Sequence, residues 1–64
     1  MFGIEHRKGV SVIGRETSMA GTLAHAVVLA RSRALKLGAD NIRVRDEEGN
    51  ELGVFPIIGD RDEA

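Results

Sequence analysis

The sequence predicts an α+β domain in which one long helix packs on a small antiparallel sheet, in the element order ββαββ. Two observations carry this prediction. Short runs that alternate between apolar and polar residues lie near both ends of the chain, as strands with one buried face require. Between them lies a proline-free segment rich in Ala and Leu, which are strong helix formers. We therefore expect a two-layer sandwich at residues 1–58 and a flexible acidic tail at residues 59–64.

The N-terminal runs predict a hairpin. Phe2 and Ile4 fall on one face of a first strand, and the run Val10–Val12 alternates again after a turn at Gly9. One long bent strand, with a bulge at Gly9, is the alternative.

The central helix is expected from Ser18 to Leu37. Thr17 and Ser18 offer hydroxyls that cap a helix N-terminus, and Gly38 is able to take the left-handed conformation that ends one.

Two strands are expected after the helix. In the first, Ile42 and Val44 point to one face, whereas Arg43 and Arg45 point to the other. The second runs from Glu51 to Ile58.

The last strand is apolar on both faces. Leu52 and Val54 share one face, and Phe55 and Ile57 share the other. A strand of this kind is covered on both sides in most sheets, so this pattern predicts a contact beyond the chain's own helix.

The helix also has more apolar surface than one sheet can cover. Its apolar arc spans roughly 200°, about twice the stripe of a helix that packs on one sheet. Since a 64-residue domain is marginal alone, we expect a homodimer, with exchange of hairpins between subunits as one possible form. Cover of Val28 and Leu35 by the N-terminal hairpin is the alternative. The expected interface residues are Val28, Leu29, Leu35, Phe55 and Ile57.

Composition narrows the function classes. The chain has no Cys, so disulfides, thiolate metal sites and Cys nucleophiles are excluded. It has no Trp or Tyr, and 9 Lys and Arg against 10 Asp and Glu give a net charge of −1. A global attraction to nucleic acid is therefore absent.

The N-terminus lacks the apolar segment of a signal peptide, and the longest apolar run is far too short to span a bilayer. We expect a soluble cytoplasmic protein without membrane contact.

The segment RDEEGNELG at residues 45–53 is the most suggestive for chemistry. A calcium loop that began at Asp46 would need glycine at its sixth position, but Gly49 is the fourth. Gly49 and Asn50 tolerate positive φ, which indicates a hairpin tip kept hydrated by its acids.

The two histidines, His6 and His25, do not have the spacing of a metal site, and no nucleophile or phosphate-binding motif occurs. We therefore expect no enzyme, no cofactor and no metal.

Nucleic-acid binding is the second function class. Arg43 and Arg45 project from one face of a strand, and a dimer doubles such a patch. The alternative is that these arginines pair across strands with Glu5 or Glu51.

Two resemblances are visible. The run RVRDEEGNELGV from Arg43 to Val54, 12 of the 64 residues, resembles a hairpin in the N-terminal domain of bacterial translation initiation factor three. In that domain the hairpin precedes its helix and here it follows, so the resemblance implies a shared hairpin type and not a shared function. The whole layout, with its helix at Ala24 to Ala34 and its hairpin at Ile42 to Ile57, resembles short bacterial proteins of unknown function, which implies no activity.

Overall fold

The structure is a computed structural model, and it describes residues 1–57. It confirms the predicted α+β architecture in the order ββαββ. The predicted boundary at residue 58 and the tail at residues 59–64 lie outside the described residues. The elements are β1 (Phe2–Lys8), β2 (Ser11–Ser18), α1 (Leu23–Leu37), β3 (Asn41–Arg45) and β4 (Glu51–Pro56).

The four strands form one antiparallel sheet in the order β2-β1-β3-β4. The helix packs on one face, above β1 and β3, and leans toward β2. Within residues 1–57 nothing covers the other face, which we call the outer face. No helix in this part of the chain is long and apolar enough to cross a membrane.

The N-terminal hairpin is confirmed, and the single bent strand is excluded. Lys8 pairs with Ser11, so Gly9 and Val10 form a two-residue loop. Gly9 has φ 62°, as the first loop residue of a type II′ turn requires. The register shifts where β1 passes Ile13, so this residue is an extra one in β2.

The helix begins later than the sequence predicts. β2 extends to Ser18, which pairs with Phe2 at the start of β1. The predicted first residue of the helix therefore lies in the sheet. Thr22 is the N-cap, and its side chain accepts a hydrogen bond of 3.1 Å from the backbone N–H of His25. Ser18, the predicted cap, instead accepts from the N–H of Ala20 in a local turn. The C-cap is Gly38 with φ 81°, as predicted.

The core is built on small helix residues. Ala26, Ala30 and Ala34 are spaced by four, so they form one ridge, and all three are buried. With no side chain beyond Cβ, this ridge lets the helix lie close to the sheet. The sheet contributes its own buried apolar residues, Ile4, Ile42 and Val44.

Two large apolar residues near the ends of the predicted helix lie mostly outside the core. Met19 is 79% exposed because it lies in the connection before the helix rather than on its inner face. Leu37 is 44% exposed because it lies in the last turn, near the rim of the sheet.

Candidate functional surfaces

The outer face of the sheet carries an ordered array of charged side chains. Because strand partners share a face, the pairing registers place these residues in three rows. We call the charged members, four arginines and two glutamates, the arginine face; their formal charges sum to +2. From one end of the sheet to the other, the rows are Thr17, Gly3, Arg45 and Glu51; then Arg15, Glu5, Arg43 and Val54; then Val12, Arg7, Asn41 and Pro56.

Glu5 lies at the centre of the arginine face, and its side chain is only 15% exposed. Its carboxylate oxygens lie 3.7 Å from Arg15 Nε, 3.8 Å from Arg43 Nη1 and 3.7 Å from Arg45 Nη1. These distances fit ion pairs but exceed the 2.7–3.2 Å of an N–H···O hydrogen bond. Three guanidinium groups therefore share one carboxylate, and none of them is bound tightly to it.

Arg43 has a second and closer carboxylate. Its Nε lies 2.6 Å from Glu51 Oε1, although the angle at this contact is too poor for a hydrogen bond. The two arginines predicted to bind nucleic acid thus contact carboxylates on neighbouring strands. The alternative interpretation, in which Arg43 and Arg45 pair with Glu5 or Glu51, is confirmed.

The segment RDEEGNELG is a hairpin tip. Asp46 organises it, because its Oδ1 accepts 2.9 Å hydrogen bonds from the backbone N–H groups of both Glu48 and Asn50. Hydrogen bonding from Asn50, first of all from its backbone, lowers the pKa of Asp46. Gly49 has φ 88°, so glycine is needed there. Within residues 1–57 no three His, Asp or Glu side chains are grouped to hold a metal ion.

A second aspartate connects the first hairpin to the loop between α1 and β3. Asp40 precedes β3, and both its carboxylate oxygens accept from the backbone N–H of Gly9 at 3.1 Å. The side-chain amide of Asn41 also donates to it. These hydrogen bonds, that of Gly9 first, lower the pKa of Asp40. The contact fixes the tip of the first hairpin against the loop that follows the helix.

A polar pair lies on the inner face of the sheet, under the helix. His6 is fully buried, and its Nε2 lies 2.5 Å from Oε2 of Glu16, which is 25% exposed. Arg33 reaches from the helix to 3.4 Å from Glu16 Oε1. The other ring nitrogen of His6, Nδ1, is buried without a hydrogen bond.

Sequence reasoning missed this pair. Phe2, Ile4 and His6 are spaced by two and therefore share one face of β1, so the burial of His6 was predictable from the sequence. Glu16 directly precedes the residues predicted to cap the helix, and only the longer β2 brings it beside His6 in the sheet.

The helix presents apolar residues on its outward side. Val28 is 65% exposed and Leu35 is 42% exposed, so the N-terminal hairpin does not cover them. At 100° per residue, both lie about 140–160° around the helix from Ala30 in the buried ridge and from Arg33, which contacts Glu16 above β2. They therefore point away from the sheet and away from the β2 side.

The inner face of β4 is a second partly open apolar surface on the helix side of the sheet. Phe55 and Ile57 pack against the core there but remain partly exposed, because the helix is centred on β1 and β3. We call Val28, Leu35, Phe55 and Ile57 the flank patch.

Leu29 is separate from the flank patch. It is 54% exposed, but it lines an open depression above β2 together with Glu16, Ser32 and Lys36. The structure therefore separates Leu29, which lies on the β2 side of the helix, from the other four predicted interface residues.

Comparison of the chain with family models, with curated proteins and with solved structures gave no significant match. Proposals about its function therefore rest on the geometry and charge of the two surfaces described above.

Proposed function

We propose that this chain is a small non-enzymatic protein that self-associates as a homodimer through the flank patch. The observation that carries the proposal is the exposure of Val28 and Leu35 on the helix together with an inner face of β4 that the helix leaves partly open. Large exposed apolar surfaces mark interaction sites in many proteins.

The small core adds to the argument. The helix buries only alanines completely, so the hydrophobic term from α1 is low for its 15 residues. A domain of this size buries only a small apolar interior, so burial within the monomer contributes little stability. Burial of the flank patch against a second copy supplies apolar area that the monomer lacks.

The edge of β4 favours a second copy as the occupant. The N–H of Ile57 donates to Asp40 on the β3 side, so by alternation the N–H of Val54 points away from the sheet. The alternation stops at Leu52, where the register with β3 shifts. The backbone nitrogen of Pro56 also points outward, but proline has no N–H and limits pairing at that end of the strand. The part of β4 before Pro56 is the edge at which a second strand pairs.

Pairing of β4 with its own copy is compatible with twofold symmetry. Two identical strands pair antiparallel about an axis perpendicular to the sheet, which keeps both helices on the same face. The inner faces of the two β4 strands, with Phe55 and Ile57, then lie next to each other on the helix side of the combined sheet.

The test is the mass in solution. Light scattering at micromolar concentration should give twice the 6.9 kDa of one chain. Val28→Glu and Leu35→Glu should each shift the mass to that of the monomer, because a charge would be buried in the contact. Leu29→Glu is the matched control, since the exposure of Leu29 (54%) falls between those of Val28 and Leu35 but Leu29 lies on the β2 side of the helix. A monomeric parent protein, or a dimer that survives both flank variants, contradicts the proposal.

A second candidate function is nucleic-acid binding by the arginine face. The +2 surplus on an open sheet face, in a chain of net charge −1, favours it. Arg43→Glu combined with Arg45→Glu should abolish any shift of an oligonucleotide in a gel at low salt and leave the dimer intact. Absence of a shift with the parent protein removes this candidate.

A further inference from the structure

We propose that the outer face binds a phosphate group in the depression above Gly3, between Arg15 and Arg45. The depression is open to solvent, and its volume is ≈ 390 Å³. Gly3 lies in the middle of its row, with Thr17 on one side and Arg45 on the other, and Glu5 and Arg15 lie in the next row. This site is independent of the flank patch, which lies on the opposite face of the sheet.

Gly3 makes the depression. A Cβ added at this residue would meet no atom within 4 Å, so the space above it is empty. The backbone does not require glycine, because Gly3 is not among the described residues with positive φ. A glycine in a central strand weakens the strand and is often found where a ligand approaches the backbone closely.

The donors around the depression are only partly used. Arg15 on β2 and Arg45 on β3 flank it from opposite sides, and their closest approach to Glu5 is 3.7 Å in each case. Their N–H groups therefore keep capacity for a better acceptor. The side chain of Arg15 is 73% exposed and that of Arg45 is 40% exposed, so both are able to reorient toward a ligand.

The arrangement fits phosphate better than carboxylate. Two guanidinium forks and the hydroxyl of Thr17 supply donors from three directions, and a phosphate monoester has three terminal acceptor oxygens. A carboxylate has two oxygens, which one fork already satisfies. Of the charged groups on the outer face, Arg15, Arg45 and Glu5 carry a net charge of +1 (two positive groups and one negative), which attracts an anion. Glu16 also lines the depression, but its carboxylate contacts His6 and Arg33 on the helix side of the sheet.

Titration of the protein with inorganic phosphate, followed by ¹H–¹⁵N NMR, tests the site. Saturable shifts are expected at the amides of Gly3 and Thr17 and at the Nε–H signals of Arg15 and Arg45. The dissociation constant should be on the order of 1 mM, which is typical of a small ligand held by a few polar contacts.

Four variants distinguish this site from general attraction to positive charge. Gly3→Val should abolish saturable binding, because the added side chain fills the depression and suits a strand. Arg15→Gln should weaken binding about tenfold, since a charge-assisted hydrogen bond is lost. Glu5→Gln should strengthen it several-fold by removing the competing carboxylate. Arg33→Gln is the matched control: Arg33 is 64% exposed and also contacts a glutamate, but it lies on the helix side of the sheet, and its loss should leave binding unchanged.

A single-stranded oligonucleotide identifies the source of the phosphate. If nucleic acid is the natural ligand, the oligonucleotide should bind more tightly than inorganic phosphate and lose affinity in Gly3→Val. If a free phosphate compound is the ligand, the oligonucleotide should bind no better than inorganic phosphate. The proposal is overturned by linear, unsaturated shifts, by binding that persists in Gly3→Val, or by equal weakening in Arg33→Gln. Should Gly3→Val not fold, Arg15→Gln and Arg45→Gln decide the question, because both change exposed side chains.

Discussion

Replacement of Glu16 by leucine should destabilise the fold although Glu16 is partly exposed. The reason is that Glu16 is the hydrogen-bond partner of the buried His6. An ionised carboxylate only accepts hydrogen bonds, so His6 Nε2 is the donor in its contact with Glu16. The other ring nitrogen, Nδ1, has no hydrogen-bond partner. With leucine at position 16, both nitrogens of the fully buried His6 lack a partner.

The size of this effect follows from the burial of His6. A hydrogen bond to a charged group contributes about 1.5–3 kcal/mol, and a buried group left without a partner costs about 1–3 kcal/mol. Apolar contacts of the new leucine offset part of this loss. We expect a net loss of about 2 kcal/mol from a total that, for a chain of this length, is of order 3–10 kcal/mol.

The reverse change should be much milder. His6→Leu leaves Glu16 in contact with Arg33 and with solvent, so no buried charge loses all its partners. Replacement of a buried polar pair by apolar residues is often neutral. The double variant His6→Leu, Glu16→Leu should therefore recover most of the loss, with a coupling energy of about 1.5–3 kcal/mol.

Thermal and urea unfolding, followed by circular dichroism at one fixed protein concentration, measures these differences. A loss of about 2 kcal/mol lowers Tm by roughly 8–16 °C in a domain of this size. Glu51→Leu is the control, because Glu51 contacts the partly exposed Arg43 and such surface pairs contribute about 0–1 kcal/mol. The reasoning is refuted if Glu16→Leu loses less than about 0.5 kcal/mol, or if the double variant is as unstable as Glu16→Leu alone.

Three further predictions concern the cap, the core and the hairpin tip. Thr22→Ala should cost about 1 kcal/mol in thermal unfolding, and Ser18→Ala only a few tenths, because Thr22 is the cap; equal losses would contradict the cap assignment. Ala30→Leu should cost about 1–3 kcal/mol in urea unfolding by forcing the helix away from the sheet, and an unchanged midpoint would show that the ridge tolerates larger residues. The lowered pKa of Asp46 means that its ionised form stabilises the fold above the ordinary pKa of about 3.9, and that this contribution is lost as pH falls through the folded-state value. Asp46→Asn should therefore flatten the acid limb of a stability–pH curve, and an unchanged limb would assign acid unfolding to other groups.

Turn chemistry made much of the fold predictable. Gly9, Gly38 and Gly49 all have positive φ, and the sequence marked each of them as a turn or helix end. This constraint is local, because a side chain at positive φ is strained whatever surrounds it. Alternation also fixed which face of β3 is buried, since a strand has a period of two.

The start of the helix was not predictable from local preference. Residues 16–18 carry caps and charges that suit a helix N-terminus, yet they lie in β2 because β1 offers partners along its whole length. Pairing with another strand is a long-range term, and it outweighs a propensity difference of less than about 1 kcal/mol per residue.

The sequence by itself determined the order of the elements, the turns and the buried face of β3, because those follow from periodicity and from glycine positions. Only the tertiary structure decided which side chains meet. It brought Glu16 to the buried His6, it placed three arginines around Glu5, and it separated Leu29 from the flank patch. The physical reason is that these contacts depend on strand register and on the lean of the helix across the sheet, which are set by packing between residues far apart in the chain.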